Sequence, residues 1–386
     1  MRRMIGGSRT AGPGSAWRTP AARALARTLA CALLVALPSL VAGRAAGAQE
    51  APHRRFLLVY SQDGALPANV RATEGVVAAF SRALGGDYEI YVEYRDDQRF
   101  PGAEEDRRFF EQLERRYRDQ RFDAILAFGG WALEHMVAQR TALGLDAPVV
   151  FGGVGSGAFD AAALPADVHG VTSGYSIPGT IALARRLQPA ARRVVVMTGS
   201  QAFDRSWEAR ARRELAGLDG MGVDFVSGLT LAGFQEVAAG LDRDTILLIL
   251  TIYTDAAGLH FTPANAAQLI AGRSGAPAWS VYDTSIGRGV VGGEVQRFRD
   301  VGTAMAEQAL ALAEGGVAVA PMREVPAQPV LDWRQMQRFG LDRRLLPANA
   351  DLEFYEPTAW ERYRPQIVLA VAVILLQSGT ITALVV

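Results

Sequence analysis

Few stretches of this sequence have the spacing that covalent chemistry needs. The run Gly152-Gly153-Val154-Gly155-Ser156-Gly157 follows an apolar segment, as a phosphate-cradling loop would. It lacks the Lys-Ser/Thr pair of such a loop, and Ala158 stands where the last glycine of G-x-G-x-x-G belongs. Neither Ser156 nor Ser200 lies in a G-x-S-x-G elbow, so a serine hydrolase has no nucleophile here. The four histidines, His53, His135, His169 and His260, are scattered without metal-ligand spacing. No phospho-acceptor histidine motif or ATP-binding box is present. The expected chemistry is therefore reversible binding, with no catalytic residue, no cofactor and no metal.

Candidate binding residues lie in short polar or glycine-bearing loops, one after each apolar run. Ser61 and Gln62 follow the first run, Gly129, Gly130 and Trp131 the third, and Gly153 the fourth. Further on come Ser200 and Gln201, then Tyr253, Thr254 and Asp255, then Tyr282 and Asp283, with Tyr175 on a crossing segment. In an open α/β sheet such loops converge on the crevice beyond the carboxyl ends of the strands. Trp131, Tyr253 and Tyr282 suit stacking on a planar ligand, Asp255 or Asp283 suits an amine, and the Gly129-Gly130 helix start suits a carboxylate. The same residue types also serve as packed aromatics and helix-capping aspartates, and Tyr175 suits a hinge equally well. The sequence leaves both roles open.

The elements that must position these loops alternate regularly. Phe56 to Tyr60 (FLLVY), Tyr88 to Tyr94, Phe122 to Phe128 (FDAILAF) and Val149 to Phe151 read as strands. The helices between them include a face of Val76, Val77, Phe80 and Leu84 and another of Phe109, Phe110, Leu113 and Tyr117. A second series has strands at Arg193 to Met197, Val223 to Val226, Thr245 to Ile252 and Ala278 to Tyr282. Its helices fall near Ile181 to Leu187, Phe203 to Leu215, Phe234 to Ala239 and Asn265 to Ala271, and a later helix has Val301, Met305, Gln308 and Leu312 on one face. Continuous apolar strands at roughly 30-residue spacing mean βαβ units in parallel sheets covered by helices. The expected fold class is α/β, with two doubly wound, Rossmann-like lobes and a cleft between them.

Both ends of the chain carry membrane signals. Residues 1–27 hold six arginines and no acid, Thr28 to Gly43 is uncharged and apolar, and Ala46-Gly47-Ala48 offers a signal-peptidase site. Residues 1–48 thus read as an export signal or an N-terminal anchor. The one cysteine, Cys31, lies inside it, so the exported part has no disulfide. From Ile367 to Val386 runs a stretch of bilayer-spanning length, preceded by the interfacial residues Trp360, Tyr363 and Arg364. The main domain is expected outside the cytoplasm. At 386 residues, 49% apolar, with 40 basic and 40 acidic residues, the chain can bury two cores and has no net charge to attract nucleic acid.

Three segments carry a resemblance. APVVFGGVGSGAFDAAALPADVHGVTSGYSIPGTIALARRLQPAARRVVVMTGS, Ala147 to Ser200, and VVGGEVQRFRDVGTAMAEQALALAEGG, Val290 to Gly316, resemble the type 1 periplasmic-binding-protein-like family of ABC transporter substrate-binding proteins. The likeness spans roughly Phe56 to Leu341. Gly155-Ser156-Gly157 replaces an Asp-Pro pair common there, which unsettles transfer of that family's ligand contacts. PVLDWRQMQRFGLDRRLLPANADLEFYEPTAWERYRPQIVLAVAVILLQ, Pro329 to Gln377, resembles the juxtamembrane stretch of bacterial sensor histidine kinases with an outer domain of this type. The resemblance implies 55–170 with 285–325 as a first lobe, 171–284 as a second, 326–364 as a juxtamembrane connector and 365–386 as a transmembrane helix. It also implies a sensor in the bacterial inner membrane with its main domain in the periplasm, and kinase modules beyond this sequence. The alternative is a membrane-tethered ABC substrate-binding component. Implied partners are a small molecule such as an amino acid or aromatic metabolite, the membrane, a second copy of the chain, and either a kinase module or an ABC permease.

Overall fold

The computed structural model describes residues 53–315, 320–357 and 359–385; the expected export signal or anchor over 1–48 lies outside them. The first sheet is built from β1 (Arg54–Tyr60), β2 (Tyr88–Tyr94), β3 (Ala124–Phe128), β4 (Val149–Gly155) and β5 (Val168–Gly174), with α1 (Pro67–Leu84), α2 (Ala103–Tyr117) and α3 (Gly130–Gln139) as crossovers. All of its strand pairs are parallel. Every residue of β3 is buried, as a strand covered by helices on both faces must be. α1 begins with Pro67, whose missing N–H would have had no helical partner. Its inner face is Ala72, Val76, Ala79 and Phe80; Val77, grouped with that face by periodicity, is 39% exposed because it lies about 100° around the helix from Val76.

The second sheet takes β6 (Arg193–Met197), β7 (Gly222–Val226), β8 (Thr245–Ile249), β9 (Ala278–Trp279) and β10 (Gly292–Val295), connected through α4 (Ile177–Leu187), α5 (Ala202–Glu214), α6 (Leu231–Ala239) and α7 (Pro263–Ala271). β8 and β9 stop earlier than the apolar runs that announced them. Leu250, Thr251 and Ile252 remain buried after leaving the ladder.

The chain crosses between sheets three times. It passes from β5 to α4, from β10 to α8 (Phe298–Ala313), and from β11 (Met322–Pro326) to β12 (Gln328–Asp332). The first sheet has the order β11-β5-β4-β3-β1-β2. Two boundaries differ from expectation. β5 extends the first sheet to Gly174, and β10 pairs with β9 and β12 in the second sheet, so the return to the first lobe begins at α8 and not at 285. α8 lies against α1 at a distance only glycine permits: a Cβ at Gly75 would stand 2.0 Å from the Arg299 carbonyl oxygen, and one at Gly302 2.0 Å from that of Ala72.

The segment expected to be a separate connector is part of the second sheet. β12 runs antiparallel to β10, α9 (Trp333–Phe339) follows, and β13 (Asp351–Glu353) pairs parallel to β12, giving the order β13-β12-β10-β9-β8-β6-β7. Its burial explains this: Val330, Leu331 and Asp332 are fully buried, so the segment folds by joining a core. One apolar cluster runs from Phe56 and Phe80 through Ile177 and Trp279 to Leu331, and is continuous across both sheets. After residues 354–358 the chain enters α10 (Ala359–Val385).

Candidate functional site

The carboxyl ends of the two sheets face each other across a cavity of about 90 Å³. From the first lobe come Gln62 after β1, Phe128 with Gly129 and Gly130 after β3, and Gly153 within β4. The starts of α1 and α8 add Leu66, Asn69 and Phe298. From the second lobe come Phe203 at the start of α5, Thr251 and Tyr253 after β8, Ala264 at the start of α7, and Tyr282 with Thr284 after β9. Tyr175 stands on the first crossing and also lines it.

The first-lobe wall is held by backbone geometry. The Ser61 hydroxyl donates to the Phe128 carbonyl (3.1 Å) and accepts from the Ala132 N–H (3.0 Å), tying β1 to the start of α3. Ser61 is thus a buried support and not a contact. Gly129 has φ +96°, and a Cβ there would meet the Ser61 Oγ at 2.5 Å. Asn69 fixes the preceding loop by donating from Nδ2 to the carbonyls of Asp63 (2.8 Å) and Gln62 (3.2 Å).

The second-lobe wall is a set of rings. Tyr175 meets Trp207 edge-on (5.1 Å between centroids) and Tyr282 (5.4 Å), and Tyr282 stacks across the lobes on Phe298 (5.9 Å). Phe203 meets Tyr253 at 5.7 Å. Burial pushes the Tyr175 hydroxyl up to about 12 and also raises those of Tyr253 and Tyr282, so all three remain protonated donors. Tyr253 also reaches Gln62, its hydroxyl 3.5 Å from Oε1, a long contact between the lobes.

A buried carboxylate that the sequence did not single out positions this wall. Asp204, fully buried on the first turn of α5, accepts from the backbone N–H of Gln201 (3.2 Å) and of Tyr253 (3.2 Å). Burial raises its pKa against these hydrogen bonds. The signal was an acidic residue three positions after Gln201, the spacing of a capping box. Leu66, Asn69, Phe203, Ala264 and Phe298 were also missed. They sit at helix starts, which the loop-after-strand rule does not cover.

Several expected site residues lie elsewhere. The indole of Trp131 turns to the outer flank of the first lobe, stacking on His135 (4.4 Å) and donating from Nε1 to Asp106 (3.0 Å). Asp255 accepts from the N–H groups of Leu231, Ala257 and Leu259, each at 2.9 Å, so both carboxylate oxygens organise a turn. Asp283 pairs with Arg71 across the lobes (2.7 Å) in a neighbouring cavity; burial lifts it to about 6 while Arg71 opposes the shift. Gln201 lines an outer cavity of about 300 Å³ beside Gln62 and donates to the Thr254 hydroxyl (2.6 Å), which also meets His260 (3.0 Å). The Ser200 N–H donates to the Thr254 carbonyl (3.0 Å), and Ser200 lines neither cavity. Gln62, Gly129, Gly130, Gly153, Tyr175, Tyr253 and Tyr282 are the expected residues that meet at the deep cavity.

No protein-family model and no curated protein matches the chain. Solved structures do. A conserved domain protein from Vibrio cholerae O1 biovar El Tor shares 14% identity with a TM-score of 0.54, covering 78% of this chain and 99% of that one. The ligand-free, open structure of CD0873, a substrate-binding protein with adhesive properties from Clostridium difficile, gives 15%, 0.55, 78% and 100%. The ABC domain from Streptococcus pneumoniae in complex with L-Trp gives 13%, 0.55, 78% and 99%. The chain has the two-lobed α/β fold of the type 1 periplasmic binding proteins.

Proposed function

We propose that this chain is an extracytoplasmic small-molecule-binding domain whose lobes close on a ligand and carry that movement to a membrane helix, as the input part of a two-component receptor. The observation that carries the binding reading is the deep cavity, lined from both lobes at the carboxyl ends of both sheets. The L-Trp complex with the same fold supports a ligand of small-metabolite size. Extracytoplasmic placement is supported by the Arg-rich, then apolar, N-terminal sequence. Membrane attachment is supported by Arg362–Leu384, 23 residues whose most apolar 18-residue window has a mean hydropathy of 2.3 with none of that window buried.

One structural observation favours a sensor over a tethered transport component. Residues 328–353 add β12 and β13 to the second sheet, and only residues 354–358 separate β13 from α10. A movement of the second lobe therefore displaces the start of the membrane helix, which a passive tether would not require. A ligand shifts the receptor only by its differential affinity for the open and closed forms.

The test is a thermal-shift screen of the chain against amino acids, aromatic acids and other small metabolites. A ligand that binds the folded form raises the unfolding temperature by mass action. A blank panel with folded protein overturns the binding reading. Reading the coding DNA past Val386 separates the two roles: a kinase module supports the sensor, whereas a stop codon beside permease genes supports transport.

A further inference from the structure

The deep cavity lacks the groups that would compensate a charged ligand. Among the described residues that line it there is no Asp, Glu, Lys, Arg or His. Beyond that lining, Asp204 and Asp255 are held by backbone N–H groups and Asp283 by Arg71. Asp63 and Asp96 pair with Arg99, and His260 meets Thr254, in the adjoining outer cavity, while Asp97 is not among the residues lining the deep one. Arg210 lies over the Trp207 ring (5.1 Å) and donates to the Tyr175 carbonyl (3.0 Å). Six aromatic rings line the cavity instead: Phe128, Tyr175, Phe203, Tyr253, Tyr282 and Phe298. Its polar groups are the carboxamides of Gln62 and Asn69 and the hydroxyls of Thr251, Thr284 and the tyrosines.

Resting on the reading of this cleft as a binding site, we infer that its ligand is an uncharged planar ring compound with a hydrogen-bonding edge, and neither an amino-acid zwitterion nor an aromatic carboxylate. An ion moved from water into such a cavity without a counter-charge is heavily penalised, whereas a neutral ring gains from apolar burial and from edge and face contacts with the aromatic walls. The backbone at Gly129 and Gly130, at the start of α3, offers a partial positive charge suited to a carbonyl oxygen or ring nitrogen. The neutral carboxamide of Gln62 provides both a donor and an acceptor for the ligand's edge. The cavity of about 90 Å³ corresponds to about three waters and is below the roughly 150 Å³ that holds a benzene, so a single ring is the largest body it suits, and only with some parting of the lobes.

The experiment compares ring compounds in matched pairs with the full chain in lipid nanodiscs, by calorimetry and by shift in unfolding temperature. Indole is set against L-tryptophan and indole-3-acetate, p-cresol against L-tyrosine, and uracil against orotate. Empty nanodiscs correct for partitioning of the rings into lipid. The expected result is that at least one neutral member binds about tenfold or more tighter than its charged counterpart, and that Tyr282→Ala weakens that binding. If a charged member binds as tightly as its neutral partner or tighter, the inference falls while the binding-domain reading stands. If no member of any pair binds, the inference falls, and the binding-domain reading falls with it only when the broader metabolite screen is also blank.

Discussion

The two walls of the cleft are made by different physics. The first-lobe wall is shaped by glycines at β-strand ends with Ser61 behind them, beside the Phe128 and Phe298 rings. The second-lobe wall is aromatic side chains, with Tyr253 held by the buried Asp204 and Tyr282 packed between Tyr175 and Phe298. A wall of backbone is damaged by adding atoms. A wall of rings is damaged by removing the polar group that aims them.

The largest expected effect is on the ring wall. Asp204→Ala leaves the Gln201 and Tyr253 N–H groups buried without an acceptor, a loss of about 4 kcal/mol in total stability, read from denaturant unfolding. Asp204→Asn, which keeps an acceptor oxygen, should cost clearly less. Equal and small losses in both variants would show that the carboxylate does not hold this wall.

Each side of the cleft also holds one carboxyl raised by burial, Asp97 after β2 and Asp283 after β9, each from 3.8 to about 6. A folded-state pKa above the unfolded value means that the folded protein binds the proton more tightly. Stability should therefore fall as pH rises from about 4 to about 6, by at most about 3 kcal/mol per group. Thermal melts across this range should show the slope, and the double variant Asp97→Asn/Asp283→Asn should reduce it, leaving the part contributed by Asp204, which burial also raises. An unchanged slope in the double variant would assign it to other groups.

For the backbone wall, Gly153→Val combines φ +69° with a Cβ placed 2.8 Å from the Phe128 ring, and should cost about 2 kcal/mol of stability. Gly130→Ala meets nothing within 4 Å, so its melt should be unchanged. A matching loss in both would mean that the wall does not depend on close approach. Next, Tyr253→Ala should weaken ligand binding about tenfold, whereas Trp131→Ala should lower stability and leave affinity unchanged. The reverse pattern would move the site to the outer flank. The smallest effect belongs to Gln62→Leu. Its 3.5 Å contact with Tyr253 is too long for a strong hydrogen bond, so the variant should shift lobe closure in the ligand-free protein by no more than about 1 kcal/mol, read by small-angle scattering. A larger shift would make that contact a principal latch.

Much of the fold was legible because both sheets bury strands on both faces. Runs such as AILAF and TILLI have little choice but to be central parallel strands, and the spacing between such runs dictates helical crossovers. The segment from Pro329 was less legible. Its short strands β12 and β13 have no long apolar run, and they become strands by pairing at the edge of an existing sheet.

For the site, the sequence located the loops and their residue types by itself, because strand ends are marked by the change from apolar to polar or glycine. It could not decide among like residues. Trp131 and Tyr253 both follow strands, yet one ring packs on the outer flank and the other enters the cavity. Asp204, Asp255 and Asp283 are the same residue type, yet two hold backbone turns and one pairs with Arg71 across the lobes. Local periodicity reports which side of an element is apolar. Which partner that side meets depends on chain tens of residues away, and only the tertiary structure brings it into contact.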